Sequence, residues 1–239
     1  MSSTGFQPEE KGYHELIVAQ PGSREGRRKS AAPLTFTLGN PKGMEMTKFI
    51  AALLCIAVLT ACQTMQRPLA PGELFTGSVL NIRSPNAEGW ILFESSNQEV
   101  AFARRGTLPN ETYAARVFAA PLPETTDRDE FVALIKQRNQ ENTSPERFSS
   151  IEVNYEYTET RGYPCVRIKS VADDTKAKTS SGQQVLKLQS HTLVCRHPRQ
   201  QTKGFEGFGI EFSHRGSALD ATLDVQAEAF IEGVQVPEK

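Results

Sequence analysis

Hydrophobic and polar positions alternate most regularly from Ile151 to Tyr157, where Ile151, Val153, Tyr155 and Tyr157 are separated by Glu152, Asn154 and Glu156. Successive side chains of a strand point to opposite faces, so this period of two predicts a strand with one buried and one wet face. Weaker versions of the pattern predict strands at 77–83, 90–94, 100–104, 113–119, 165–171 and 185–195, and another in which Phe208, Ile210 and Phe212 alternate. The stretch 173–184 reads as a polar loop. Helical spacing takes over in two places. One helix opens near Thr126 or Asp127, with Glu130 placed to close a capping box and Phe131, Leu134 and Ile135 as its apolar stripe. Another runs from about Ala218 to Gly233 on Leu219, Leu223, Ala227, Phe230 and Ile231. Between them, Ser144-Pro145 predicts the cap and first position of a short helical turn. Strands, a helix, strands and a helix, joined by short connections, predict an α+β fold: a mostly antiparallel sheet with two main helices packed on it.

One segment obeys neither period. Phe49 to Leu59 is an unbroken apolar run, preceded by Lys48 and followed by Thr60, Ala61 and Cys62. A basic residue, a short apolar run and small residues form the order of a secretory signal; a permanent membrane span needs about 20 apolar residues. Residues 1–45 show no sustained periodicity. Translation is therefore expected to begin at Met46 or Met44, where the codons of Lys42-Gly43 can spell a purine-rich ribosome-binding sequence. The expected organisation is an N-terminal extension at 1–45, a signal peptide at 46–61, a flexible proline-broken tether at 62–72 and a single α+β periplasmic domain at 73–239.

Leu59-Thr60-Ala61-Cys62 resembles the lipobox of bacterial lipoproteins. The resemblance implies that the chain is cut before Cys62, that this thiol is diacylated, and that the new amino end is acylated in turn, with palmitate as a typical chain. Because Gln63 rather than Asp follows, it also implies the outer membrane, with the domain facing the periplasm. The order of elements and the Gly89-Trp90 entry loosely resemble PsbP-like sandwich domains over residues 77–234, which implies a topology and no activity.

Processing before Cys62 would leave 178 residues with 20 basic and 23 acidic side chains, a net charge of −3. Such a balance offers no basic excess to hold nucleic acid. The expected partners are the membrane, through the lipid, and an envelope protein or small ligand. Cys55 lies in the discarded run and Cys62 carries lipid. Cys165 and Cys195 remain, and two leftover cysteines in an exported protein are expected to form a disulfide.

Candidate chemistry is sparse. His191, Cys195 and His197 share a strand face by their even spacing, but a disulfide at Cys195 leaves too few ligands for a metal. Ser213 and His214 are neighbours on a strand and so face opposite ways, which argues against a nucleophile–base pair. Residues 204–209 resemble a phosphate loop in their glycines, yet they run into a strand rather than open a helix. Glu152, Glu156 and Glu159, with Asp173 and Asp174, read as solvated carboxylates. No residue is assigned to catalysis, a metal or a cofactor. The sequence therefore leads to the expectation of a membrane-anchored periplasmic lipoprotein acting as a binding or envelope-structural module, with a hydrolase of cell-envelope material as the alternative.

Overall fold

The computed structural model describes residues 67–199 and 206–237, so the expected extension, the signal segment and Cys62 lie outside the described residues. Eight strands form one antiparallel sheet. In spatial order they are β1 (Arg67–Pro68), β4 (Ile91–Ser95), β5 (Glu99–Arg105), β6 (Thr112–Ala120), β10 (Gly207–Gly216), β9 (Gly182–Arg196), β8 (Cys165–Thr179) and β7 (Phe148–Thr158). A smaller sheet joins β11 (Val234–Gln235), β3 (Asn81–Arg83) and β2 (Leu74–Thr76). Two helices complete the described residues, α1 (Arg128–Glu141) and α2 (Leu223–Glu232), and neither is long and apolar enough to cross a membrane. The α+β class with a mostly antiparallel sheet is as expected.

Alternation along the strands divides the large sheet into two differently covered faces. Cys165, Leu193, Cys195, Phe208, Ile210 and Phe212 point one way, into a core shared with Phe230 and Ile231 of α2 and with Ile82 and Val234 of the small sheet. Val166, Ile168 and Val194 point the other way and meet Phe131 and Ile135 of α1. Burying each such side chain contributes roughly 1.5–3 kcal/mol. The central strand β10 is buried at all ten positions. At two of those positions an added side chain would force a neighbour to move. A Cβ on Gly209 would stand 2.1 Å from the Phe118 ring, and one on Gly207 would stand 2.3 Å from Leu122.

Local chemistry explains where the elements depart from expectation. At the start of α1, Asp127 accepts the Glu130 N–H at 2.9 Å, while the Glu130 carboxylate reaches back to the N–H and hydroxyl of Thr126. This is the anticipated capping box with its return bond one residue earlier. Ser144-Pro145 makes the single turn expected of it, closed by the Phe148 N–H on the Ser144 carbonyl at 3.0 Å. Helix α2 starts at Leu223, not Ala218, because the Asp220 carboxylate accepts the N–H and hydroxyl of Thr222 and fixes a turn there. Leu219 is consequently 53% exposed. The expected loop at 173–184 is instead the distal end of the β8–β9 hairpin. Ile151 leaves the buried row of β7 because a bulge between Ser149 and Glu152, with Ser150 at φ 50°, breaks the alternation. Residues 67–72, inside the expected tether, are engaged in the fold: β1 pairs with β4, Leu69 is buried in the larger core, and Arg67 grips Glu73.

Candidate functional site

Cys165 and Cys195 are register partners on β8 and β9, fully buried and joined by a disulfide. That pairing consumes both thiols. His191 shares their face, and its Nε2 lies 2.9 Å from Asp224 Oδ1 of α2. His197 lies just past the end of β9, with Nε2 3.2 Å from the Val79 carbonyl and its ring edge-on to Phe208. The structure therefore sends the three metal candidates to three different partners, and no group of three or more metal-ligating side chains exists among the described residues. Asp224 also takes Lys169 at 3.0 Å, and Arg167 pairs with Glu228, so a polar seam joins α2 to the sheet. Burial lowers the His191 pKa against the opposing pull of Asp224.

Ser213 and His214 do lie on opposite faces of β10, as alternation requires. His214 is 1% exposed and completely engaged. Its Nε2 lies 3.1 Å from Glu111 Oε1, its Nδ1 3.3 Å from Gln189 Oε1, and its ring centre 4.8 Å from that of Tyr113. The Tyr113 hydroxyl donates to Asp220 at 3.0 Å, and the Arg104 guanidinium sits 4.5 Å above the Tyr113 ring. Burial, followed by the hydrogen bond to Asp220, raises the Tyr113 pKa and holds the phenol protonated. Burial would raise the Glu111 carboxyl, but the Leu108 N–H and His214 outweigh it and keep it below the usual carboxylate range. Asp220 is lowered in the same way, by Thr222 and Tyr113 against burial.

This cluster has the histidine–carboxylate contact of an acid–base site, but its parts do other work. The nearest serine in sequence, Ser213, faces the opposite side of the sheet, and the Tyr113 hydroxyl is committed to Asp220. The arrangement clamps β6, β9 and β10 to the turn that opens α2.

The other face carries charges that alternation alone did not reveal. Arg116 donates to Glu211 at 2.7 and 3.2 Å and lies 3.6 Å from Glu99, all three being largely buried. Burial raises the Glu99 carboxyl, with Arg116 opposing. Farther along the face, Arg147 grips Asp174 through two bonds at 3.0 and 2.7 Å, with Arg215 Nη1 3.6 Å from the same carboxylate. Asp174 is thus fully buried rather than solvated, whereas Asp173 faces the other way and pairs with Lys187. Glu152 and Glu156 remain exposed as expected. Charges buried this deeply persist only when paired. A sequence signal existed: Arg116 stands between Ala115 and Val117, and Glu211 between Ile210 and Phe212, both inside apolar strands.

Of the glycine-rich stretch, Gly204 lies outside the described residues. Gly207 and Gly209 sit within β10, where neighbouring side chains fill the space a phosphate would need. No protein-family model matches the sequence, and no curated protein is detectably similar to it.

Proposed function

We propose that the chain is a lipoprotein held by acyl chains on Cys62 at the periplasmic face of the outer membrane, its α+β body serving as a binding or envelope-structural module. The observation that carries this reading is the apolar run Phe49–Leu59 leading into Leu59-Thr60-Ala61-Cys62. The Cys165–Cys195 disulfide supports it, because such bonds persist in oxidising compartments such as the periplasm. One acyl chain holds a protein only marginally and two hold it stably, so a triacylated Cys62 would make release negligible. The hydrolase alternative needs an accessible histidine–carboxylate pair beside a nucleophile. His214 and Glu111 meet in a closed cluster with Ser213 on the far face, which favours the module.

Replacing the anchor tests the proposal. Cells expressing the Cys62→Ser protein are labelled with radioactive palmitate and fractionated. The expected result is loss of label and accumulation of the uncut precursor, with no form of mature size found with the membranes. A variant that is still cut to its usual size and still sediments with membranes contradicts the reading.

A further inference from the structure

The two ends of the large sheet are finished very differently. At one end β1 is two residues long and includes Pro68, which has no N–H to offer. At the other end β7 runs for eleven residues with β8 on one side and no described strand on the other. The bulge at Ser149–Glu152 distorts only its beginning; from Glu152 to Thr158 the register with β8 is unbroken. Those seven residues present roughly 23 Å of regular strand edge. An open edge of this kind is a template for another strand unless something blocks it.

The charges beside that edge specify what fits. Glu152, Asn154 and Glu156 project from one face and are exposed, and neither glutamate has an ion-pair partner among the described residues. Arg167, the register partner of Glu156, gives its guanidinium to Glu228, and Lys169, opposite Asn154, gives its ammonium to Asp224. Helix α2 therefore takes the cations that would neutralise β7. On the opposite face Val153, Tyr155 and Tyr157 pack toward α1, with Arg128 and Lys136 above the two tyrosine rings. A second copy would bring more carboxylates against Glu152 and Glu156. A segment with basic residues four apart would bring complementary charge.

We propose that the free edge of β7 docks an extended protein segment as an added strand, with lysine or arginine at two positions four residues apart opposite Glu152 and Glu156, and apolar residues between. Backbone hydrogen bonds would supply the affinity and the charge pattern the selectivity. This deepens the binding-module reading by giving its partner a chemistry, and the two fail separately: the anchor is tested at Cys62, the edge at Glu152 and Glu156.

The test titrates the full chain, purified in detergent, with the labelled peptide acetyl-Thr-Lys-Val-Thr-Val-Lys-Val-Thr-amide, following anisotropy and hydrogen exchange. Saturable binding is expected, with new amide protection confined to the β7 edge. The analogue with both lysines replaced by glutamate should bind about tenfold or more weakly, as should the Lys peptide to the Glu152→Lys/Glu156→Lys protein. That charge-reversed protein should in turn prefer the acidic peptide, which shows that it has folded. Three results overturn the proposal: equal binding of both peptides, no binding at millimolar peptide, or edge protection that grows with protein concentration alone, which would mean that copies pair with one another.

Discussion

Reducing the Cys165–Cys195 bond is the perturbation whose size follows most directly from the fold. The two residues are 30 apart in sequence, and closing a loop of that length in the unfolded chain corresponds to about 3.6 kcal/mol on the chain-entropy account. Both cysteines are fully buried and each is the other's register partner, so after reduction the two thiols need only turn apart to van der Waals distance between strands that stay paired, and loss of the covalent link is the main change. For a body of this size, each kcal/mol moves the melting temperature by roughly 2–4 °C, which gives a fall of roughly 7–14 °C. Trp90 is the only tryptophan, is 1% exposed, and packs on Phe212 in the same core as the bridge, so its fluorescence reports unfolding. Guanidinium titrations of oxidised and reduced protein should give separated midpoints, with the steeper transition for the reduced protein, whose unfolded chain exposes more surface. The Cys165→Ala/Cys195→Ala variant should fall at or below the reduced protein, because it also loses two packed sulfur atoms. Coincident midpoints for the oxidised and reduced forms would refute the reasoning, as would two reactive thiols in the denatured, unreduced chain.

Three other outcomes follow from buried chemistry. Arg116→Met should cost about 3–5 kcal/mol in denaturant unfolding, because it leaves Glu99 and Glu211 as uncompensated carboxylates; a loss under 1 kcal/mol would mean the trio is not buried as described. The His191 pKa is lowered from its usual 6.5, so as pH falls below that value the unfolded chain takes up the proton first and stability is lost until the folded-state pKa is passed. The unfolding midpoint of His191→Gln should therefore fall less between neutral pH and about pH 5 than that of the parent chain, and identical slopes would remove His191 from the account. Gly209→Ala should destabilise by about 1–3 kcal/mol through collision with the Phe118 ring, and adding Phe118→Leu should recover part of the loss, as a double-mutant cycle would read.

What could be read in advance was whatever depends on neighbours in sequence. The alternation at Val153, Tyr155 and Tyr157, the Asp127–Glu130 cap and the opposite orientations of Ser213 and His214 are all local, and each stands as expected. The pairing of Cys165 with Cys195 was legible by elimination. Features that needed register were not. Asp174 looks solvated beside Asp173 until Arg147 and Arg215, 27 and 41 residues away, are brought to it. The β8–β9 pairing nevertheless runs on through this stretch, with a shift of register between Asp174 and Ala177. Glu111 and His214 are 103 residues apart and meet only because β6 and β10 pair. Ile151 shows the converse: its period was right, but the backbone at Ser150 steps out of it.

The central claim remains that the chain is tied to a bilayer through one sulfur atom. Mass spectrometry of the intact protein extracted from membranes tests it most directly. The account predicts a mature chain beginning at Cys62 and carrying the added mass of a diacylglyceryl group and an amide-linked acyl chain. A membrane-extracted chain with an unmodified Cys62 thiol, or one still carrying residues before Cys62, would contradict it.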